Sequence, residues 1–323
     1  MSQKYEPFPL HPVLQHLFQE SLNVSPEEVT QPAVVRKGFD QQAAALLSVP
    51  DNVLRETREI TAGPHGAKVT ITIIRPVGSE NTTLPAILFL HGGGWVFGSL
   101  NTHGSLLATK IPAAVIFVDY DMSPEAVFPT ALEQCYAALC WTETNAPSIK
   151  IDPKRIAVAG DSAGGNLTAG LSLLAKERGN QAISLQILYY PVLGTDFENE
   201  SYTKYADNNM VPRETMKYVW RAYTPDPAMQ EDIKAVPRKA TTEQLEGLPP
   251  ALIITAEYDV LRDEAEAYAK QLNKAGVDVV PVRYVGVQHG FLTVPVLDRP
   301  QARAAIAQTL ECLRTAWARD AKL

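Results

Sequence analysis

The apolar positions of this chain change rhythm twice. Over the first fifty residues the spacing is helical, with Val13-Leu14 answered by Leu17-Phe18, and Ser25-Pro26-Glu27-Glu28 is a helix start with a capping serine, a proline at the first helical position and acid in the first turn. From Arg55 the pattern becomes alternation, with Val69, Ile71 and Ile73 marking half-buried strands that run up to Pro76, and polar residues 78–83 form the turn out of them. Beyond Leu84 the apolar stretches are continuous, at 86–90, 113–118, 156–159, 185–190, 252–255 and 279–284, as expected of strands covered on both faces. Helical patterns at 103–110, 130–144, 166–178, 262–275 and 299–318 lie between and after them. This alternation predicts an α/β fold, a doubly wound, mostly parallel sheet with right-handed crossovers and helices on both faces.

One interval breaks the alternation. Residues 191–248 carry no strand signal, only a helical pattern at 213–223 rich in Tyr, Met and Trp. They form an insertion over the carboxyl edge of the sheet, where α/β sites lie. The organisation expected is therefore a helical arm at 1–50, an α/β body at 51–190 and 249–323, and a cap insertion at 191–248 that the arm joins.

Composition narrows the partners. With 46% hydrophobic and 20% charged residues among 323, the chain can bury a sizeable core, and a net charge of -7 argues against nucleic acid or an anionic membrane. A neutral or apolar small molecule is the natural partner. The first ten residues lack the apolar core of a signal peptide and no later run approaches a membrane span, so a soluble, cytoplasmic protein is expected. Three cysteines make no disulfide framework, and Cys135 and Cys140, five apart on one helix, sit roughly 8 Å apart, beyond disulfide reach. Neither zinc spacing nor a nucleotide loop is present, so no metal and no cofactor are expected.

The chemistry gathers at three loops. Gly160-Asp161-Ser162-Ala163-Gly164 stands between an apolar run and a helical pattern, which reads as strand, sharp turn and helix with Ser162 at the apex. The flanking glycines let strand and helix approach, and the serine hydroxyl is pushed into the cleft as a nucleophile. His91-Gly92-Gly93-Gly94-Trp95 follows the run 86–90 directly and leaves backbone N–H groups bare at a strand's carboxyl end. Such donors, with the amide of Ala163 at a helix N-terminus, can hold an oxyanion, each lowering the barrier by about 3 to 4 kcal/mol. Downstream, Asp259 follows the strand 252–255 and His289 follows the last strand, so both reach the same edge. The order Ser162, Asp259, His289 is the one such hydrolases use, with His289 as general base and acid and Asp259 fixing its tautomer. Glu257, at the strand end, and Asp263, inside the next helix, are the rival acids; no other histidine follows the last strand.

These motifs resemble those of hormone-sensitive-lipase-type carboxylesterases, the α/β-hydrolases with a His-Gly-Gly-Gly loop. The match runs through His91 to Trp95, Asp119-Tyr120, Pro124-Glu125, Phe128-Pro129, Gly160 to Gly165, Asp259 to Glu264 and His289-Gly290-Phe291. It implies an α/β-hydrolase fold with a mostly parallel central sheet of about eight strands and a helical cap. It also implies Gly93 and Gly94 as loop donors, His91, Gly92 and Trp95 as residues that shape the loop, and a pocket lined by Tyr190, Met216, Trp220 and Phe291. The activity implied is cofactor-free hydrolysis of short- to medium-chain acyl esters, with homodimerisation allowed. An amidase, lactonase or thioesterase would use the same groups, and a non-catalytic small-molecule receptor would have lost the base, which His289 supplies. One departure stands out: Asp121 occupies the place where the family usually carries arginine.

Overall fold

The computed structural model describes residues 32, 36–37, 53–63, 65–103, 112–207, 210–293 and 300–320. The expected arm helices near 14–18 and 25–28, and most of the helical pattern at 103–110, lie outside these residues.

Eight strands form one sheet in the order β1-β2-β4-β3-β5-β6-β7-β8. They are β1 Val53–Ala62, β2 Ala67–Pro76, β3 Leu84–Leu90, β4 Ala114–Asp119, β5 Ile151–Asp161, β6 Ile183–Tyr189, β7 Ala251–Tyr258 and β8 Val279–Gln288. The first two pair with each other antiparallel and β2 meets β4 antiparallel, while every pairing from β4 through β8 is parallel. In this order the chain leaves β3 toward β4 and leaves β5 toward β6, in opposite directions, so the switch point where a crevice opens lies between the carboxyl ends of β3 and β5.

Helices cover both faces. On one face α1 (Thr130–Asn145), α2 (Ala163–Glu177) and α6 (Arg262–Lys274) bury residues such as Leu139, Leu171 and Leu272 against Leu88, Val158 and Ile253. On the other, α7 (Pro300–Asp320) places Ala305, Leu313 and Trp317 against Ala157, Ile187 and Leu252. Leu88 and Val158 face one way while Ile87 and Ala157 face the other, the two-residue period that makes both sides of these strands apolar.

Two expectations change in detail. The strand before the serine begins at Ile151, earlier than its apolar run, because Asp152 to Arg155 extend as a polar lead-in and Ile151 pairs with Leu84. The last strand is an edge, half exposed rather than covered on both faces, with Val280 and Val285 at 42% and 67% exposure. Pro281 and Arg283 break its apolar run, and it has a neighbour on one side alone.

Between β6 and β7 the described residues contain no strand. They hold α3 (Glu200–Lys204), α4 (Arg213–Tyr223), 3₁₀ turns at Pro227–Glu231 and Pro237–Lys239, and α5 (Thr242–Leu245). The α4 helix buries Met216, Val219, Trp220 and Tyr223, a stripe at i, i+3, i+4 and i+7.

Candidate active site

The structure puts Ser162 alone between the last residue of β5 and the first of α2. Its backbone sits at φ 55 and ψ -117, a region that costs a non-glycine residue about 1 to 3 kcal/mol and is held here by surroundings that determine it from both sides. The Ser162 amide donates to Tyr189 O (2.8 Å), and Ser162 O accepts from Val192 N (3.1 Å). A Cβ on Gly164 would collide with the carbonyl of Leu90, so this position must be glycine for α2 to start so close to β3.

The acid and the base arrive from β7 and β8, each one residue past its strand. His289 Nε2 lies 3.0 Å from Ser162 Oγ, and its Nδ1 lies 2.7 Å from Asp259 Oδ2. All three side chains are buried, at 8%, 6% and 1% exposure for Ser162, His289 and Asp259. The second oxygen of Asp259 accepts from Leu261 N at 3.0 Å, which fixes the carboxylate in the turn leading into α6. The rival acids are engaged elsewhere. Glu257 Oε2 accepts from Gly286 N at 2.9 Å, pinning β8 just ahead of His289, and Asp263 binds Ser201 N at 2.8 Å and Arg262 Nε at 2.8 Å.

Across the crevice, the glycine loop is folded so that different amides have different fates. Gly92 N donates to Asp161 Oδ1 at 2.9 Å, which takes it out of contention as an oxyanion donor. The carbonyl of Gly93 accepts from Val96 N (3.1 Å) and Phe97 N (2.8 Å), and among the described residues the N–H groups of Gly93 and Gly94 have no acceptor. Ala163 N is the first amide of α2, where an N–H has no intrahelical partner. Gly93, Gly94 and Ala163 are therefore donors available to an oxygen bound over Ser162. A hydroxyl, an imidazole that can take its proton, a carboxylate behind the imidazole and amides for a developing anion are what acyl transfer requires.

The family model for the alpha/beta hydrolase fold matches residues 87–293, which hold all of these loops. The chain belongs to the α/β-hydrolase fold family. It is 36% identical over 280 residues to carboxylesterase NlhH of Mycobacterium tuberculosis, covering 84% of this chain and 86% of that one. It is 34% identical to an arylesterase of Saccharolobus solfataricus, over 78% of this chain and 82% of the relative. Among solved structures, a fungal esterase from Rhizomucor miehei superposes with a TM-score of 0.88 at 41% identity, covering 98% and 99% of the two chains. The resemblance to hormone-sensitive-lipase-type carboxylesterases thus extends over the whole architecture of this α/β-hydrolase.

Behind the glycine loop of this hydrolase lies a buried web that the motifs did not announce. The His91 ring is stacked on Tyr120 at 4.2 Å and on Phe117 at 5.5 Å, and burial together with neighbouring His103 lowers its pKa to about 3, so it is neutral. Burial pushes the Asp161 carboxyl up, yet His103 and the Gly92 amide act the other way and Asp161 lies below its ordinary value. His103 Nε2 stands 3.4 Å from Asp161 Oδ2. Asp161 is therefore an anion whose partners are the loop on one side and His103 on the other. It stood inside the serine pentad, but nothing in the sequence tied it to Gly92.

The α4 helix is part of this loop's support. Trp95 stacks on Tyr223 at 4.2 Å and meets Trp220 at 4.9 Å, all three buried in the same core cluster as Met216. Met216 and Trp220 thus pack inward with the glycine loop. A Cβ on Gly94, which has φ +62, would come within 2.7 Å of Val219 Cγ1. Tyr190 and Phe291 lie on the opposite flank: Tyr190 meets the His289 ring edge-on at 4.7 Å and Phe291 at 5.8 Å. Asp121, the departure from the family pattern, is absorbed by α1, because Gln134 Nε2 donates to its Oδ2 at 2.7 Å while Gln134 Oε1 accepts from Asp121 N at 2.7 Å.

A buried carboxyl also went unassigned by sequence reasoning. Glu264 on α6 accepts from Leu193 N (2.6 Å) and Gly194 N (3.2 Å), where the chain leaves the sheet after β6. Burial raises its pKa to about 8, opposed by those two amides and helped by nearby Asp259. Among the described residues no three His, Cys, Asp or Glu side chains could hold a metal ion together, and no helix is long and apolar enough to cross a membrane.

Proposed function

We propose that this chain is a serine carboxylesterase working through an acyl-enzyme, with Ser162 as nucleophile, His289 as general base and acid, and Asp259 as the group that holds the imidazole. The observation that carries the reading is the unbroken line from Ser162 Oγ through both ring nitrogens of His289 to Asp259, 3.0 Å and 2.7 Å long, with the serine on a strained backbone elbow. Ser162 Oγ attacks the ester carbonyl as His289 Nε2 takes its proton. The carbonyl oxygen, now an anion, accepts from the amides of Gly93, Gly94 and Ala163. Collapse breaks the bond to the alkoxy group, which leaves as the alcohol with the proton from His289. Water, deprotonated by His289, then attacks the acyl-serine; the second tetrahedral intermediate collapses with cleavage of the bond to Ser162 Oγ, which takes the proton back from His289 as the carboxylic acid leaves.

The substrate class in this reading is short- to medium-chain acyl esters. Tyr190 and Phe291 supply apolar surface beside the base, and Met216 and Trp220 on α4 would close the cleft over the glycine loop. A soluble cytoplasmic setting agrees with three unpaired cysteines. Homodimerisation is part of the same proposal, since β8 ends the sheet with an exposed edge; a monomer by light scattering at micromolar concentration would remove it.

The test is covalent labelling. A fluorophosphonate should leave one adduct, on the Ser162 peptide, and Ser162→Ala should abolish p-nitrophenyl ester hydrolysis while the protein stays folded. An adduct mapped elsewhere, or an active Ser162→Ala, would overturn the assignment.

A further inference from the structure

We propose that Arg36 is a positioning residue for the oxyanion donors, acting on Gly94 through two intervening peptide units. The proposal rests on the reading of Gly93 and Gly94 as those donors.

The guanidinium of Arg36 reaches two loops at once. Its Nε donates to Val96 O (2.7 Å), Nη2 to Ser123 O (2.7 Å), and Nη1 and Nη2 to the two oxygens of Glu125 at 2.9 and 2.8 Å. The loops are also tied to each other, by Ser123 N donating to Trp95 O at 2.8 Å.

The bond to Val96 O begins a chain. A peptide unit is planar, so the carbonyl of Val96 and the N–H of Phe97 move as one body. That N–H donates to Gly93 O at 2.8 Å. The Gly93 carbonyl in turn shares its plane with the N–H of Gly94, the donor left without an acceptor in the loop. Arg36 Nε–H, the Val96–Phe97 peptide and the Gly93–Gly94 peptide therefore lie in series, with a cation at one end and the oxyanion site at the other. Two consequences follow. The orientation of the Gly94 N–H is set by two planes anchored to a side chain that is 18% exposed, and each hydrogen bond polarises the next, so that the positive charge strengthens the last donor. Glu125 binds the two terminal nitrogens of Arg36, whereas the series starts from Nε, so the ion pair and the series use different N–H groups of the same side chain.

The experiment compares Arg36→Ala, Arg36→Lys and Glu125→Gln in the full-length protein. In Arg36→Ala, kcat for a short p-nitrophenyl ester should fall about tenfold, a fraction of what loss of an entire oxyanion donor costs, with KM changed less than twofold. The inhibition constant of a trifluoromethyl ketone, whose serine adduct carries the oxyanion, should rise by a similar factor, and added guanidinium ion should restore part of kcat. Arg36→Lys keeps the charge but not the fork, and should lose less. Glu125→Gln leaves the series intact and should keep kcat within twofold even where it lowers Tm. An Arg36→Ala or Arg36→Lys protein with unchanged kcat, or with a loss confined to KM and Tm, would overturn the proposal. Should Arg36→Ala fail to fold, the Arg36→Lys result decides in the same way. The underlying reading fails separately: there, the trifluoromethyl ketone would not bind the unaltered protein at all.

Discussion

The two flanks of Ser162 solve one problem, holding polar groups still in a buried cleft, by different means. On the acid–base flank the supports are carboxyl groups accepting from backbone amides: Asp259 from Leu261, Glu257 from Gly286, Glu264 from Leu193 and Gly194. On the oxyanion flank they are stacked rings and a steric wall, with His91 on Tyr120, Trp95 on Tyr223 and Val219 against Gly94, and a single buried anion, Asp161. The difference follows from what each flank must present. An imidazole has to be aimed along one line and kept in one tautomer, which a hydrogen-bonded carboxylate does, whereas the amide donors of Gly93 and Gly94 have to be left bare, so the loop bearing them is fixed by ring packing and by bonds that spare those two amides. The acid–base flank should therefore respond to substitution in charge and pH, and the oxyanion flank to substitution in shape.

The largest effect is expected where charge is removed from the acid–base line. Asp259→Asn should keep the fold and lower kcat by roughly 10³ to 10⁴, and His289→Ala at least as much. Steady-state kinetics beside circular dichroism would check this; a crippled Glu257→Gln with an active Asp259→Asn would move the acid to the wrong side of β7. Shape should matter next, on the other flank. Gly94→Ala places a Cβ 2.7 Å from Val219 Cγ1 at φ +62, and kcat should fall about 10- to 100-fold as the donor peptide shifts. Adding Val219→Ala should recover part of the loss, and a double mutant no better than the single would mean that backbone strain, not contact with α4, sets the donor's place.

A smaller effect concerns stability. Glu264 has its pKa raised to about 8 in the folded chain, against 4.5 ordinarily. Between those values the folded protein keeps a proton that the unfolded chain has released, so this group's contribution to stability is present below pH 4.5, declines as pH rises and is lost above 8. Glu264→Gln, neutral throughout, should lack the decline. Its Tm relative to the unaltered protein should rise between pH 5 and 8, on the order of 5 °C, and parallel Tm curves would show that Glu264 ionises normally. The smallest expected effect is on specificity. Each methylene that the pocket covers is worth about 0.8 kcal/mol, close to fourfold in kcat/KM, so activity should climb over the first few acyl carbons and then drop at the pocket wall. Phe291→Ala should shift the optimum to longer chains, and an unchanged profile would remove Phe291 from the acyl side.

Much of this site was legible because its key residues stand close behind apolar runs. His91 directly follows an apolar run, and Ser162, Asp259 and His289 stand within five residues of the end of one, each one residue past the strand that the run marks. The stripe of α4 was equally plain, though its pattern says which face is buried and not against what; Trp220 proved to meet Trp95, over a hundred residues away in the chain. Arg36 and His103 left no signal, and Glu264, though inside the matched stretch 259–264, gave none of its partners, since a charged residue carries no mark of a partner distant in sequence. The apolar run at 279–284 looked like its neighbours, and nothing local distinguishes a strand with two neighbours from one at the sheet's edge.

Residues close in sequence settled the elements and the order of the chemistry. An apolar run of six or a glycine pair around a serine acts within a turn or two of itself, through backbone sterics and side-chain period, and needs no distant partner. Which loops face each other was settled by the fold. Placing β5 beside β3 brings the His91 loop against Ser162 and lets a buried Asp161 bind Gly92. That arrangement minimises exposed apolar surface over the entire chain, a sum to which every strand and helix contributes and which no short stretch can express.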